Sequence, residues 1–241
     1  MHGWSCDSRY WRHQVPAFSS RHRVVTLDLA GHGHSGSSRT VYSMKAFGED
    51  VLAVLREIGD GPFILIGHSM GGPVVASAAR LSPEGILGLV AVDTLQNVEH
   101  PLSLEARDQM KAPLVADFPA GCRAFVETMM EPGLEPDLRD WILADMASAP
   151  PAVAVSAIDE MLSLYVAGET AALFDGSPIP VIGIYADLWP VETEINRRHM
   201  NSFEAIIVPE SGHFLNLGNP ERFNRALEQA IDRLQKTPMG S

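Results

Sequence analysis

Pro62-Phe63-Ile64-Leu65-Ile66-Gly67-His68-Ser69-Met70-Gly71-Gly72-Pro73-Val74-Val75-Ala76-Ser77-Ala78-Ala79-Arg80-Leu81 decides the fold class. Its first five residues are an apolar run of the length of a buried strand. Gly71 to Leu81 is rich in small residues at helical spacing. Between them, Gly67-His68-Ser69-Met70-Gly71 matches G-x-S-x-G. In a strand–turn–helix context this pattern puts a serine on a sharp turn with its Oγ projecting from the sheet. Gly67 and Gly71 remove side chains that would collide in that turn. The positive end of the helix then points at the reaction centre and favours a developing oxyanion. Ser69 is therefore the candidate nucleophile.

Working outward, short apolar runs alternate with longer amphipathic ones, the pattern of βαβ units and a parallel sheet. Arg23–Leu29, Pro62–Ile66, Ile86–Val92, Ile179–Tyr185 and Phe203–Val208 read as strands. Ser43–Ile58 reads as a helix, with Met44, Phe47, Val51, Val54, Leu55 and Ile58 on one face, Ser43 as N-cap and Gly59 as the stop. Asn219–Leu234 reads as the closing helix, with Pro220 at its first position. Residues 96–175 break the alternation. They hold helical segments around Leu104–Met110, Arg123–Met130, Leu138–Met146 and Val153–Val166, and five of the ten methionines: Met110, Met129, Met130, Met146 and Met161. A helical insertion between two strands suggests a cap over the active site; its methionines either line an adaptable pocket or simply pack the helices together, and for any single Met packing is the commoner role. The expected division is a core of 1–95 and 176–241 with a cap of 96–175.

A serine hydroxyl needs a base at neutral pH. Of nine histidines, His213 in Ser211-Gly212-His213-Phe214-Leu215 lies in a loop after the last strand. That satisfies the chain order serine, acid, histidine. His68 neighbours the nucleophile, but its side chain is expected to point away from substrate. Two carboxylates compete for the third role of accepting the His213 Nδ1–H. Asp187 follows the penultimate strand and is preferred; Asp93, just after Ile86–Val92, is the alternative.

The 241 residues suffice for one α/β domain with a buried core. A net charge of −12 disfavours nucleic acid and anionic membrane as partners. No apolar run reaches the roughly 18 residues of a membrane span. Met1-His2-Gly3-Trp4 has neither the basic nor the apolar region of a secretory signal, so a cytoplasmic protein is expected. Cys6 and Cys122 make neither a disulfide framework nor a metal cluster and read as free thiols. No cofactor or metal is expected.

Four blocks together resemble the α/β-hydrolase family of cofactor-free serine esterases, lactonases and related enzymes. They are His2-Gly3-Trp4, Asp28-Leu29-Ala30-Gly31-His32-Gly33-His34-Ser35, the Ser69 turn, and Ser211-Gly212-His213-Phe214. The resemblance covers nearly the whole chain outside residues 96–175. It implies a mostly parallel sheet with helices on both faces, a helical cap, and an oxyanion hole from the amides of Trp4 and Met70. His32 and His34 fall in a turn that braces the oxyanion loop, which makes them structural. The implied activity is hydrolysis of a carboxylic ester or lactone through an acyl-enzyme. Cleavage of a C–C bond, cofactor-free oxygen chemistry, and a non-catalytic ligand-binding role on the same scaffold remain alternatives.

Two departures accompany the resemblance. The family's usual acid turn, counted from Ala186, lands on Trp189; a variant with Asp four after a strand glycine fits Gly183 to Asp187. The family also has about three strands before the His-Gly loop. Without the last of them a gap is expected between Arg23–Leu29 and Pro62–Ile66, and Pro238–Ser241 offers no replacement strand. The gap has three resolutions: direct pairing of the two strands, a homodimer in which a second copy fills it, or a weakened fold. The homodimer is favoured.

Overall fold

The computed structural model describes residues 1–59 and 61–236; Pro238–Ser241 lies outside them. A 3-10 turn, Ser8–Trp11, leads into α1 (Gln14–Phe18) and α2 (Met44–Ile58). Then follow β1 (Phe63–His68), α3 (Gly71–Leu81) and β2 (Ile86–Val92). The helical stretch comprises α4 (Leu104–Ala116), α5 (Phe118–Glu127), α6 (Pro136–Ala147), α7 (Pro151–Val166) and α8 (Glu169–Ala172). The chain closes with β3 (Val181–Ala186), α9 (Thr193–His199), β4 (Phe203–Val208), α10 (Leu215–Gly218) and α11 (Pro220–Lys236). Among the described residues the sheet has four strands, all parallel, in the order β1-β2-β3-β4.

Alternation along the strands divides the core into two layers. Leu89 and Ala91 of β2, with Val181 and Tyr185 of β3, join the layer under α2, α3 and the inserted helices. Val90, Val92, Ile182 and Ile184 face the other way, onto Phe223, Leu227, Ile231 and Leu234 of α11. Both faces of β2 and β3 are thus buried, which is why these strands read as unbroken apolar runs. Ser43 caps α2, accepting from the Ala46 amide at 3.2 Å. No strand interrupts the described residues between β2 and β3, where α4–α8 lie. No single described helix is long and apolar enough to cross a membrane. The pair α6 and α7 passes that test together but is bent by 95°.

Arg23–Leu29 is not a strand, contrary to the sequence expectation. The reason is the absence of a partner. A strand is defined by pairing, and β-branched residues supply only the propensity for it. Between this segment and β1 lies an apolar slot of about 510 Å³, lined by Val24, Leu27, Val54, Ile64, Ile66 and Ile231. The two segments do not close on each other. On this edge of β1 the backbone partner is Met1, whose nitrogen donates to the Ile66 carbonyl at 2.5 Å and whose carbonyl accepts from His68 N–H at 3.0 Å. Met1 therefore occupies the last position of a parallel strand site whose remaining length is the slot.

An apolar extended segment fused ahead of Met1 should pair along Phe63–Ile66 and raise Tm by several degrees in calorimetry. The unmodified chain is expected to dimerise through the same edge, and the fused chain to run as a monomer in light scattering. Unchanged Tm and unchanged mass in both would exclude the slot as a strand site.

Candidate active site

The C-terminal ends of β1, β2 and β3 and the loop after β4 converge on one side of the sheet, the side on which ligands bind in parallel α/β folds. At the end of β1, Ser69 adopts φ = +52°. A non-glycine residue in that region is strained and needs its surroundings to hold it there. The surroundings do so through close backbone approach. A Cβ on Gly67 would stand 2.2 Å from the Gly71 carbonyl oxygen, and one on Gly71 would meet the Met1 and His2 carbonyls at 2.8 Å. Ser69 N–H donates to Val92 O at 3.0 Å, and Gly72 N–H donates to Ser69 O at 2.9 Å.

His213 lies 6% exposed in the loop after β4, and its Nδ1 is 2.6 Å from Asp93 Oδ2. Asp93 is 3% exposed at the end of β2, at φ = +45°. Its amide donates to Ile184 O, and its Oδ1 accepts from Ala186 N–H at 3.0 Å. The carboxylate is thus oriented by β3 and leaves one oxygen for the imidazole. Because a carboxylate accepts, Nδ1 carries the proton and Nε2 is left for the cavity.

Asp187, the acid preferred from sequence, is not at His213. It is exposed, and its two oxygens accept from Glu210 N–H at 3.1 Å and Ser211 N–H at 3.3 Å. Those two bonds hold its carboxyl below the usual carboxylate range. Asp187 braces the turn that leads to His213. The geometric reason for the correction is local. Asp93 leaves β2 directly under the His213 loop, whereas the chain after β3 runs out to solvent and meets the loop two residues too early.

The amino-terminal loop lies against the elbow. A Cβ on Gly3 would stand 3.1 Å from both Ser69 Cβ and His68 Nδ1, so a larger residue would have to push these neighbours back by a few tenths of an ångström. His2 is buried, with Nδ1–H donating to Gly3 O at 2.8 Å and Nε2 accepting from Leu29 N–H at 3.0 Å. Burial, with His32 alongside, pushes its pKa down to about 3, so it is neutral with one fixed tautomer. Asp28 accepts from the amides of Ser8 and His34, and His32 Nδ1 is 3.1 Å from Ala30 O. Trp4 packs edge-on against Phe118 and Phe125, and its Nε1 donates to Ala154 O at 2.7 Å.

Ser69, His213, Asp93 and Trp4 all line one cavity of about 560 Å³. Its outer wall is apolar and comes from the inserted helices: Met110, Phe125, Met129, Met146, Ile158 and Met161. Neither lysine nor arginine is among its lining residues. His68, expected to point away, is 1% exposed and lines the same cavity. A polar residue at the buried end of a strand requires a partner, and that requirement was the available signal. Among the described residues, no group of three or more His, Cys, Asp or Glu side chains is arranged to hold a metal ion. Cys6 and Cys122 are free and buried.

A model of the alpha/beta hydrolase fold family matches residues 1–127. The chain is 36% identical over 89 residues to a dihydrolipoyllysine-residue acetyltransferase component of an acetoin cleaving system from Pseudomonas putida, covering 37% of this chain. It spans only 24% of that relative's length. It is 25% identical over 248 residues to a pimeloyl-[acyl-carrier protein] methyl ester esterase from Aeromonas hydrophila, covering 96% of this chain and 93% of the relative. Among solved structures, a thermophilic esterase from Thermogutta terrifontis superposes with a TM-score of 0.78 at 25% identity, over 97% of this chain and 88% of that one.

The two carboxylates separate by mutation. Asp93→Asn should lower kcat on an activated ester by on the order of ten-thousandfold, the scale of forcing a base histidine into the wrong tautomer. Asp187→Asn removes an exposed brace and should cost less than about fivefold. The reverse ranking in steady-state kinetics would return the acid role to Asp187.

Proposed function

The chain belongs to the alpha/beta hydrolase fold family, and from that premise and the geometry above we propose that it is a serine hydrolase of carboxylic esters. The observation that carries this reading is the buried 2.6 Å contact between His213 Nδ1 and Asp93 Oδ2, on the wall of a cavity that also holds a serine at φ = +52°. A structural ion pair would need neither the strained serine nor the cavity. The names of the esterase relatives support the same reading.

In this mechanism Ser69 Oγ attacks the ester carbonyl carbon as His213 Nε2 takes its proton. Asp93 holds the Nδ1–H and stabilises the imidazolium. The developing oxyanion is met by the amides of Trp4 and Met70, neither of which has an acceptor among the described residues. The C–O bond breaks, and His213 returns the proton to the leaving alkoxide, which departs as an alcohol. Water then attacks the acyl-enzyme, giving its proton to His213, and the acid leaves as Ser69 recovers its hydrogen. A lactone follows the same course with the alcohol still tethered.

The cavity wall narrows the substrate class. Recognition of a carboxylate-bearing acid would be favoured by a desolvated lysine or arginine, and neither is among the lining residues. The methionine and aromatic part of the wall favours an uncharged, largely apolar acyl group, while Gln96, Asn97, His100 and Glu192 line the rest of the cavity. A binding-only role is disfavoured because it gives the buried pair nothing to do.

Ser69→Ala should abolish turnover of p-nitrophenyl esters by more than about a thousandfold while leaving Tm unchanged, since the elbow accepts a smaller side chain. A fluorophosphonate should label the wild type at Ser69. Substituting Met129 or Met161 by Trp should shift the kcat/KM ratio between short and long acyl chains. An active Ser69→Ala protein would end the reading. A chain-length preference untouched by every wall substitution would remove the inserted helices from it.

A further inference from the structure

His68 does more than precede the nucleophile. Its Nε2 lies 2.8 Å from the carbonyl oxygen of His213. A carbonyl only accepts, so Nε2 carries the hydrogen and Nδ1 is bare. Nδ1 has no partner and faces Gly3. The ring is enclosed, 4.7 Å from the His213 ring and 5.8 Å from that of Phe214. Burial first, and His213 second, keep its pKa well below the usual histidine value. The imidazole is therefore neutral, with a single tautomer.

The partner of this bond is the backbone of the candidate base. The His213 amide donates to Met129 O at 3.0 Å, just past the end of α5. Its carbonyl receives His68, and its side chain holds Asp93. One residue is thus fixed at three points, by the helical insertion, by the nucleophile strand and by β2. An imidazole transfers a proton well only when its Nε2 is aimed, and small errors in aim cost large factors in rate. Of the three restraints, His68 alone comes from the residue bonded to Ser69. It sets the base relative to the nucleophile directly, without passing through the rest of the sheet.

We propose that His68 is a positioning residue for His213, acting as a neutral hydrogen-bond donor to the His213 carbonyl and so fixing the base against Ser69. The proposal rests on the reading of Ser69, His213 and Asp93 as the reacting set. It distinguishes the donor from the ring. His68→Phe keeps an enclosed aromatic ring and loses the N–H. His68→Gln loses the ring and keeps an amide N–H of similar reach.

Three measurements test it: active-site titration with a fluorophosphonate, steady-state kinetics with p-nitrophenyl acetate, and proton NMR of the His213 Nδ1–H held by Asp93. Per titrated site, His68→Phe should lose about tenfold or more in kcat with KM unchanged, the scale of one misaligned buried hydrogen bond. Its Nδ1–H resonance should broaden or move. His68→Gln should restore most of kcat and the wild-type resonance. Should His68→Phe fail to fold, His68→Met serves as the donor-free variant. Wild-type kcat per titrated site in a folded donor-free variant overturns the proposal. So does a His68→Gln enzyme as impaired as the donor-free one, because the ring and not the donor would then matter. If the wild type neither turns over esters nor takes the label, the ester reading fails. The NMR comparison still decides the role of His68, since it needs no turnover.

Discussion

The site is organised around a backbone that is kept in a conformation it would not choose. Ser69 at φ = +52° carries a strain of about 1–3 kcal/mol by the usual scale for such residues. That strain is sustained because the residues on either side cannot relax. Gly67 and Gly71 are in backbone contact, the Met1 and His2 carbonyls press on Gly71, and the Ser69 amide is bonded to Val92. α3 is buried almost along its length, so the turn cannot unwind from the helical side either. The same turn fixes the other components. Its leading residue, His68, grips the loop of His213. The strand that accepts its amide ends in Asp93.

How much of this was legible follows the range of the interactions. β2, α3 and β4 were readable to the residue, and β1 nearly so, because apolar run length, small-residue spacing and the two glycines are local signals. The position of His213, in the loop after the last strand, was readable as well. The choice between Asp93 and Asp187 was not, because both stand just past the ends of adjacent parallel strands. What separates them is the direction each chain takes next, and that is set by the register in which Val92 stands opposite Ile184. Arg23–Leu29 has strand composition without strand pairing, since its propensity is local and its partner is not. His68 was expected to point away from substrate; its ring instead borders the cavity, where its Nε2 meets the His213 carbonyl at 2.8 Å. His68 is the last rung of β1, opposite Val92, and at that end of the strand its side chain meets the loop that carries His213.

The inserted helices form part of this machinery as well as its cover. The indole of Trp4 sits against Phe118 and Phe125 and donates to Ala154 in α7, while Met129, after α5, accepts from His213. Both the amino-terminal loop beside Ser69 and the His213 loop are therefore tied to the same insertion. Between the ties its cavity surface carries Met110, Met129, Met146 and Met161 with Phe125, Ile158 and Tyr165, and the polar Gln96, Asn97 and His100. Thioether chains give an apolar wall that adapts in shape without introducing charge.

The two carboxylates illustrate how environment assigns roles to identical groups. Asp187 is exposed, with water available to whatever its two backbone bonds leave over. Asp93 has no such option. It is buried, its Oδ1 is taken up by Ala186 and its Oδ2 depends on His213. Removing the partner of a buried charge typically costs about 3–5 kcal/mol, because the charge stays behind unpaired. Asp93 is thus bound to keep an N–H pointed at it, and His213 Nδ1 is the one the fold supplies. The same desolvation that makes Asp93 costly to bury makes its hold on the imidazole strong. The tautomer that leaves Nε2 free for a proton follows from burial of the carboxylate, before any substrate is present.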